Sequence, residues 1–251
     1  MYLGLGLRLG SGTFAGFDAD AAAYFDRAGV TNATAKAQIN AFVKGLKDLS
    51  LYNSIISWPL RSSQNAGTGT TAYSLGGLGT FNGTLTNGPT WGADGVTIDN
   101  TNDFISTSFS VNQPDSIFAV YYSNSAVGSI NAIDGTSSRQ ALSVGLPAFI
   151  QSFAGSGIGG AGTSVASMSY HCGVFNGANS IVIQNSTQIA TGNAGSNGIN
   201  TLQIGTFIAG AGQLNGVVAC VGVISSALTK AQSDSIYTLY KTTIGTGLGL
   251  P

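Results

Sequence analysis

Glutamate is absent from this chain of 251 residues: its ten acidic side chains are all aspartates, and only 8% of positions are charged. Retaining glycoside hydrolysis needs two carboxyl groups about 5 Å apart, and no two aspartates stand at alternate positions of a predicted strand. Asp18 and Asp20 have that spacing but open a helical pattern, where they read as caps. Histidine is nearly missing as well. His171 is the one imidazole that could serve as a base. Its setting, Ser169-Tyr170-His171-Cys172, offers no Cys/His dyad, because adjacent strand residues point to opposite faces, and no third, orienting group can be named. The expectation is a hydrogen-bonded strand histidine and no catalytic site.

The two cysteines, Cys172 and Cys220, are too few for a disulfide framework. Both lie in predicted strands, where buried free thiols, acting as small hydrophobes, are favoured over a bridge. A net charge of −1 without a basic run gives no attraction to phosphate backbones or anionic lipid. No apolar run reaches membrane-spanning length, and residues 1–8 lack the order of a signal peptide. Synthesis in a cytoplasm is expected, with neither nucleic acid nor membrane insertion, and no cofactor. For metals, Asp99-Asn100-Thr101-Asn102-Asp103, with Asp94 nearby, supplies oxygens of the kind calcium prefers. The remaining positions of an EF-hand loop are missing, so the segment reads as an Asx-stabilised turn, and no metal site is expected.

What the chain has in abundance is glycine, at 37 positions. Residues 1–16 form a Gly/Leu arm. Residues 17–57 carry helical patterns. Asp18 or Asp20 caps a first helix that Gly29 ends. Thr31 or Asn32 caps a second, in which Ile39, Phe42, Val43, Leu46 and Leu49 recur at helical spacing, with Lys36, Lys44 and Lys47 as its solvated face. Residues 58–243 hold short β runs near 72–75, 81–86, 96–99, 104–109, 116–122, 129–133, 141–146, 149–153, 164–174, 180–184, 187–190, 201–207 and 217–225. Many short strands with turn signals and no repeat period predict a sandwich and argue against βαβ units. Thr229 and Gln232 have capping-box spacing and open a final helix with Ile236, Leu239 and Tyr240 on one face. Residues 244–251 form a C-terminal tail.

The order of the β-branched strand Val217 to Ile224, an Ala-Leu-Thr turn and a final helix resembles the end of laminin-G-like and concanavalin-A-like jelly rolls. Trp91-Gly92-Ala93-Asp94-Gly95-Val96-Thr97-Ile98 with Asn102-Asp103-Phe104-Ile105 is similar to their early strand pair. Ser116-Ile117-Phe118-Ala119-Val120-Tyr121-Tyr122 is similar to their central aromatic strand, and Leu202-Gln203-Ile204-Gly205 to the strand before the last hairpin. Such domains carry Asn-Gly in a tight hairpin turn; the Asn185-Ser186 found here implies a longer turn or one of another type. Phe17-Asp18-Ala19-Asp20-Ala21, the stretch from Ala28 to Thr34 and Leu46-Lys47-Asp48-Leu49-Ser50-Leu51-Tyr52 resemble the opening of structural proteins of tailed bacteriophages.

These resemblances imply an all-β, concanavalin-A/laminin-G-like jelly-roll sandwich preceded by a small N-terminal helical segment. They imply a bacteriophage virion structural protein made in the host cytoplasm, either a capsid decoration or a tail or fibre component, with other virion proteins as partners and a homo-oligomeric state. Both ends, Gly4-Leu5-Gly6-Leu7 and Gly247-Leu248-Gly249-Leu250, are apolar and suit docking as extended arms, on neighbouring subunits or on their own domain. If they dock on neighbouring subunits, deleting residues 1–10 or 245–251 is expected to leave the sandwich folded; if they pack on their own domain, deletion is expected to impair folding. The alternative function is a lectin-like module binding a cell-surface glycan, with loop Tyr or Trp rings stacking on sugars, by fold analogy alone. An enzyme is not expected.

Overall fold

The computed structural model describes residues 16–124, 129–135, 139–145, 149–163, 165–206 and 213–251. The Gly/Leu arm, up to residue 15, therefore lies outside the described residues. The helices are α1 (Ala19–Ala28), α2 (Ala33–Asp48) and α3 (Lys230–Thr242). The first strands are β1 (Ile55–Pro59), β2 (Thr71–Ala72), β3 (Gly83–Thr86), β4 (Thr90–Trp91), β5 (Val96–Asp99), β6 (Phe104–Ser106), β7 (Asp115–Ser123) and β8 (Ser129–Gly135). They continue as β9 (Ala141–Gly145), β10 (Phe149–Phe153), β11 (Gly157–Ala161), β12 (Ser169–Phe175), β13 (Ser180–Gln184), β14 (Thr187–Gly192), β15 (Leu202–Ile204) and β16 (Asn215–Ile224).

These strands form two antiparallel sheets. The first runs β14-β13-β12-β7-β16-β5-β4, with β1 also paired to β16; the second runs β11-β10-β9-β8-β15-β6-β3-β2. The chain crosses repeatedly between the sheets, with the runs β8–β11 in the second and β12–β14 in the first, as in a jelly-roll sandwich of the concanavalin-A/laminin-G type. The first sheet is covered twice. One face places Phe118, Val120, Tyr170 and Cys220 against Phe42, Leu46, Ile236 and Tyr240 of the helices. Its other face places Ile117, Tyr121, Val218 and Val221 against Leu142, Val144, Ile150 and Ile204 of the second sheet. A sheet buried on both faces is built from continuous apolar runs, which is how β7, β12 and β16 read.

Local signals set the helix ends. The Asp18 side chain accepts from the Asp20 backbone N–H and Gly29 closes α1 with φ 65°. Asn32 caps α2 by accepting from the Ala35 N–H. Both halves of the Thr229/Gln232 capping box are present. Two expectations change. Leu49 follows the last turn of α2 and is 36% exposed instead of joining the buried stripe. Lys47 is no free surface lysine: its Nζ lies 2.7 Å from Asp18 and 2.6 Å from Asp20, tying α2 to the start of α1.

The Asn185-Ser186 turn is a two-residue hairpin, contrary to the expected departure. Gln184 pairs with Thr187, and both turn residues have positive φ, 46° and 66°, the type I′ geometry that matches strand twist. Asn185 Oδ1 accepts from the Tyr170 N–H at 2.8 Å, a cross-strand bond that holds the left-handed backbone without glycine. Three strands were not anticipated: β1, β4 and β11. Ile55-Ile56-Ser57-Trp58-Pro59 is buried throughout and so lacks alternation, β4 has two residues, and β11 is mostly glycine, a residue that weakens strand patterns.

The tail takes the second of its two expected placements and packs on its own domain. Ile244, Leu248 and Leu250 are buried in the helix-side core. Arg61 Nη1 donates to the carbonyls of Ile244 and Thr246, and Gln64 Nε2 donates to Ile244 O at 2.7 Å. Its leucines cover apolar surface of the same chain.

Candidate functional site

The residues singled out by chemistry are mostly absorbed by the core. His171 faces the sandwich interior, fully buried, with Nδ1 3.3 Å from the Tyr121 hydroxyl. Burial pushes its pKa down to about 3, so the ring is neutral at ordinary pH. Cys172, on the opposite face of β12, and Cys220 are buried free thiols. Burial pushes the Cys172 thiol up to about 11 and Cys220 higher still, so neither supplies a thiolate. Asp99 Oδ1 accepts from the Thr101 N–H at 2.9 Å and Asn100 is left-handed at φ 66°, an Asx turn. Asp103 is buried, and burial, then the charge of Asp99, raises its pKa. Asp94 is exposed.

Among the described residues, Tyr73, Tyr122 and Trp91 are half-buried, and the other Tyr and Trp rings lie in the core. Tyr24, Tyr121, Tyr170 and Tyr240 are fully buried. Trp58 is buried with its indole N–H on Phe81 O, and Trp91 directs its own to Gly69 O. The exposed ring on the sandwich is Phe149, 45% accessible, on β10.

Phe149 belongs to the outer face of the second sheet, the face that no helix covers. The registers place Phe149 opposite Ala161, Gln151 opposite Gly159 and Phe153 opposite Gly157, all pointing outward. Glycine on β11 is required here. A Cβ at Gly159 would stand 2.4 Å from Ile150 O and 3.1 Å from Phe149 Cζ, and one at Gly157 would stand 2.4 Å from Gln151 Nε2. Without those atoms, Phe149 Cζ and Gln151 Nε2 occupy the space over β11 and, with it, make a floor. On the inner side, β11 closes against β14, where a Cβ at Gly160 would meet Ile189 Cγ2 at 3.2 Å.

The same outward row continues from Phe153 through Ala141, Asp134 and Gln203 to Ser106. Ala141 and Asp134 are fully buried, so the middle of the face is closed and accessible surface lies at its β10–β11 end and at its β6–β3 end, where Thr84 is exposed. Arg139 walls the β10–β11 end: its guanidinium sits 4.8 Å over the Phe153 ring, and Nε lies 3.9 Å from Asp134 Oδ2. Gln151 Oε1 accepts from the Ser143 hydroxyl at 3.2 Å, which leaves its amide N–H groups to face outward over the glycines.

Ala161 is shared by this floor and by a cleft of about 620 Å³ at the sandwich rim. Hydroxyls and amides of Thr163, Ser167, Asn185 and Thr187 line the cleft beside Met168 and Ile189, with no ionic side chain. Gln184 stiffens one wall, since its Oε1 accepts from the Thr163 N–H at 2.7 Å and its Nε2 donates to Thr163 O and Ser169 Oγ, both at 3.0 Å. Floor and cleft together present an aromatic ring, a guanidinium, amides and hydroxyls on one continuous surface.

No protein-family model matches this chain, and no curated protein matches it in sequence. Among solved structures, a Trypanosoma rangeli sialidase in complex with 2,3-difluorosialic acid matches over 83% of this chain and 39% of its own, at 13% identity and TM-score 0.58. The binding domain of botulinum neurotoxin serotype D matches over 75% of this chain and 52% of its own, at 9% identity and TM-score 0.57. This chain thus spans about two fifths of the sialidase and about half of the toxin domain. At such identities the likeness establishes the fold: a lectin-like β sandwich.

Proposed function

We propose that the protein is a glycan-binding module whose site is the β10–β11 floor with its adjoining cleft. The observation that carries this reading is Phe149, a large exposed ring whose Cζ reaches over the glycines of β11, with the Gln151 amide next along the same face. A pyranose has an apolar C–H face and a rim of hydroxyls. The ring takes the first, while the Gln151 amide and the cleft hydroxyls take the second; a few placed polar groups around apolar surface is the usual makeup of a ligand site. Binding without turnover follows from the same surface. Its one carboxylate, Asp134, is buried beside Arg139, so the carboxyl pair that most glycoside hydrolases use is missing from this face.

Virion assembly through terminal arms, which the resemblance implies, has less to support it. One of its two arms is packed against its own helices, and the other lies outside the described residues. A capsid, tail or fibre setting remains compatible with a glycan site, since a lectin-like module can sit on any scaffold.

An array of neutral and acidic glycans tests the reading. Wild-type protein is expected to give hits that Phe149→Ala removes while the melting temperature stays near that of the parent. A well-folded wild type that binds nothing on the array, or a Phe149→Ala variant that keeps every hit, overturns it.

A further inference from the structure

The part of the chain that builds the proposed site is almost without charge. From Phe104 to Thr229, which covers β6 to β16, the sequence holds three ionic side chains, Asp115, Asp134 and Arg139, and one histidine. Each is engaged inside the fold. Asp115 is fully buried, with Oδ1 accepting from Gln140 Nε2 at 2.5 Å, and His171 is fully buried beside the Tyr121 hydroxyl. Arg139 Nε lies 3.9 Å from the buried Asp134 carboxylate, and its guanidinium covers Phe153. Phe153 stands four residues along β10 from Phe149, roughly 13 Å at the strand rise, which exceeds the Debye length of about 8 Å at physiological salt. On the helical side, Lys241 donates Nζ to the carbonyl of Pro251 at the border of the cleft and lies 5.9 Å from the Tyr237 ring centre.

In place of charge the site offers oriented neutral groups. Gln151 Oε1 accepts from the Ser143 hydroxyl, and its Nε2 stands over Gly157. In the cleft, Asn185 Oδ1 accepts from the Tyr170 N–H at 2.8 Å, which commits the oxygen to β12 and leaves the NH2 end of the amide to the cleft side. Hydroxyls of Thr163, Ser167 and Thr187 line the same cleft. Amide N–H groups donate to sugar hydroxyls and ring oxygens, and the protein hydroxyls donate or accept. A carboxylate brought to this surface gives up hydration and meets no cation beside the Phe149 ring, and a desolvated charge without a partner is strongly disfavoured. We propose that the site takes uncharged glycans and discriminates against sugars that carry a carboxylate. This inference rests on the glycan-binding reading and gives it a substrate class.

Titration of the full chain tests it. The best neutral hit from the glycan array is compared with two derivatives in which its primary hydroxyl has become a carboxylate, as in a uronic acid, or the matching carboxamide. The two derivatives differ in charge and hardly in size. The acid is expected to bind about tenfold or more weakly than the carboxamide. Affinity for the neutral hit should stay level between about 50 mM and about 500 mM sodium chloride, a range that screens charge contacts. Thr187→Lys places a cation at an exposed position of the cleft wall and should remove the discrimination against the acid. Array hits confined to acidic glycans, or an acid bound as tightly as its carboxamide, would overturn the inference; if Phe149→Ala abolishes those hits, the site itself stands. A Thr187→Lys protein that still rejects the acid would show exclusion by shape, which overturns it equally. No hits at all, or hits that survive Phe149→Ala, would remove the site and this inference with it.

Discussion

The two sheets of this sandwich put similar strands to opposite uses. In β12 all seven residues are buried, because helices cover one face and the second sheet the other. In β10 burial alternates: Ile150 and Ser152 are buried while Phe149, Gln151 and Phe153 are accessible to different degrees. The helical layer thus removes the centre of one sheet face as a binding surface, and the sheet that no described helix covers is the one that carries an exposed ring. The covered sheet bears stability, and the open one is free to bear recognition. That division predicts a sharp asymmetry in how the molecule tolerates change.

The largest effect is expected from deleting residues 244–251, as follows for an arm that packs on its own domain. Ile244, Leu248 and Leu250 leave the helix-side core with the tail, and fully burying one such side chain contributes about 1.5–3 kcal/mol. The Arg61 and Gln64 hydrogen bonds go with them. Thermal or urea unfolding should show loss of the cooperative transition or a collapse in its midpoint. A truncated protein as stable as the parent would break the comparison at its base. Next comes Phe42→Ala, a fully buried ring packed edge-on to Tyr240 at 6.4 Å. A cavity of that size costs about 3–5 kcal/mol, readable as a shift in the urea midpoint at constant slope.

A pH dependence of intermediate size comes from between the sheets. Asp115 is fully buried, its Oδ1 accepts from Gln140 Nε2 at 2.5 Å, and burial pushes its pKa up to about 7. The unfolded carboxyl ionises near 4. Between those values the folded state keeps a proton that the unfolded state has released, so stability falls as pH rises from about 4 to about 7 and levels off above. The loss is on the order of 2–4 kcal/mol. Asp115→Asn keeps an acceptor for Gln140 and should flatten that slope, and a parent protein whose stability rises across the same window would show Asp115 to be ionised in the fold.

Much of the covered region was legible in the sequence, and for one reason: its signals are local and redundant. Asp18, Asn32, Gly29 and the Thr229/Gln232 pair each fix a helix end by hydrogen bonds within a few residues. The apolar runs of β7 and β16 need no partner to be recognised. The candidate site was not legible, because its meaning depends on register. Gly157-Ile158-Gly159-Gly160-Ala161 looks like a linker until it is paired with β10, and only then do its missing Cβ atoms become the floor beneath Phe149 and Gln151. The available signal was the alternation Phe149-x-Gln151-x-Phe153 in a region almost devoid of charge. Tyr and Trp drew attention as stacking rings, but as large amphipathic side chains they serve equally well in a core that offers their polar ends a carbonyl, and here Trp58 and Tyr24 find Phe81 O and Gln64 O.

The smallest effect on stability, and the one that sharpens the comparison most, is expected at Phe149. Truncation to Ala removes a ring that is 45% exposed and leaves no buried cavity, so the change should stay within about 0.5 kcal/mol. For the paired change on the covered sheet, Phe118→Ala, the cost should return to about 3–5 kcal/mol, since Phe118 is fully buried and stacked on Tyr170 at 5.7 Å. Glycan binding should order the two variants in reverse: abolished by the mild change, and retained by whatever fraction of the severe one stays folded. Measuring midpoint and binding on both proteins separates the two roles, and equal destabilisation by the two changes would mean that Phe149 is part of a core after all.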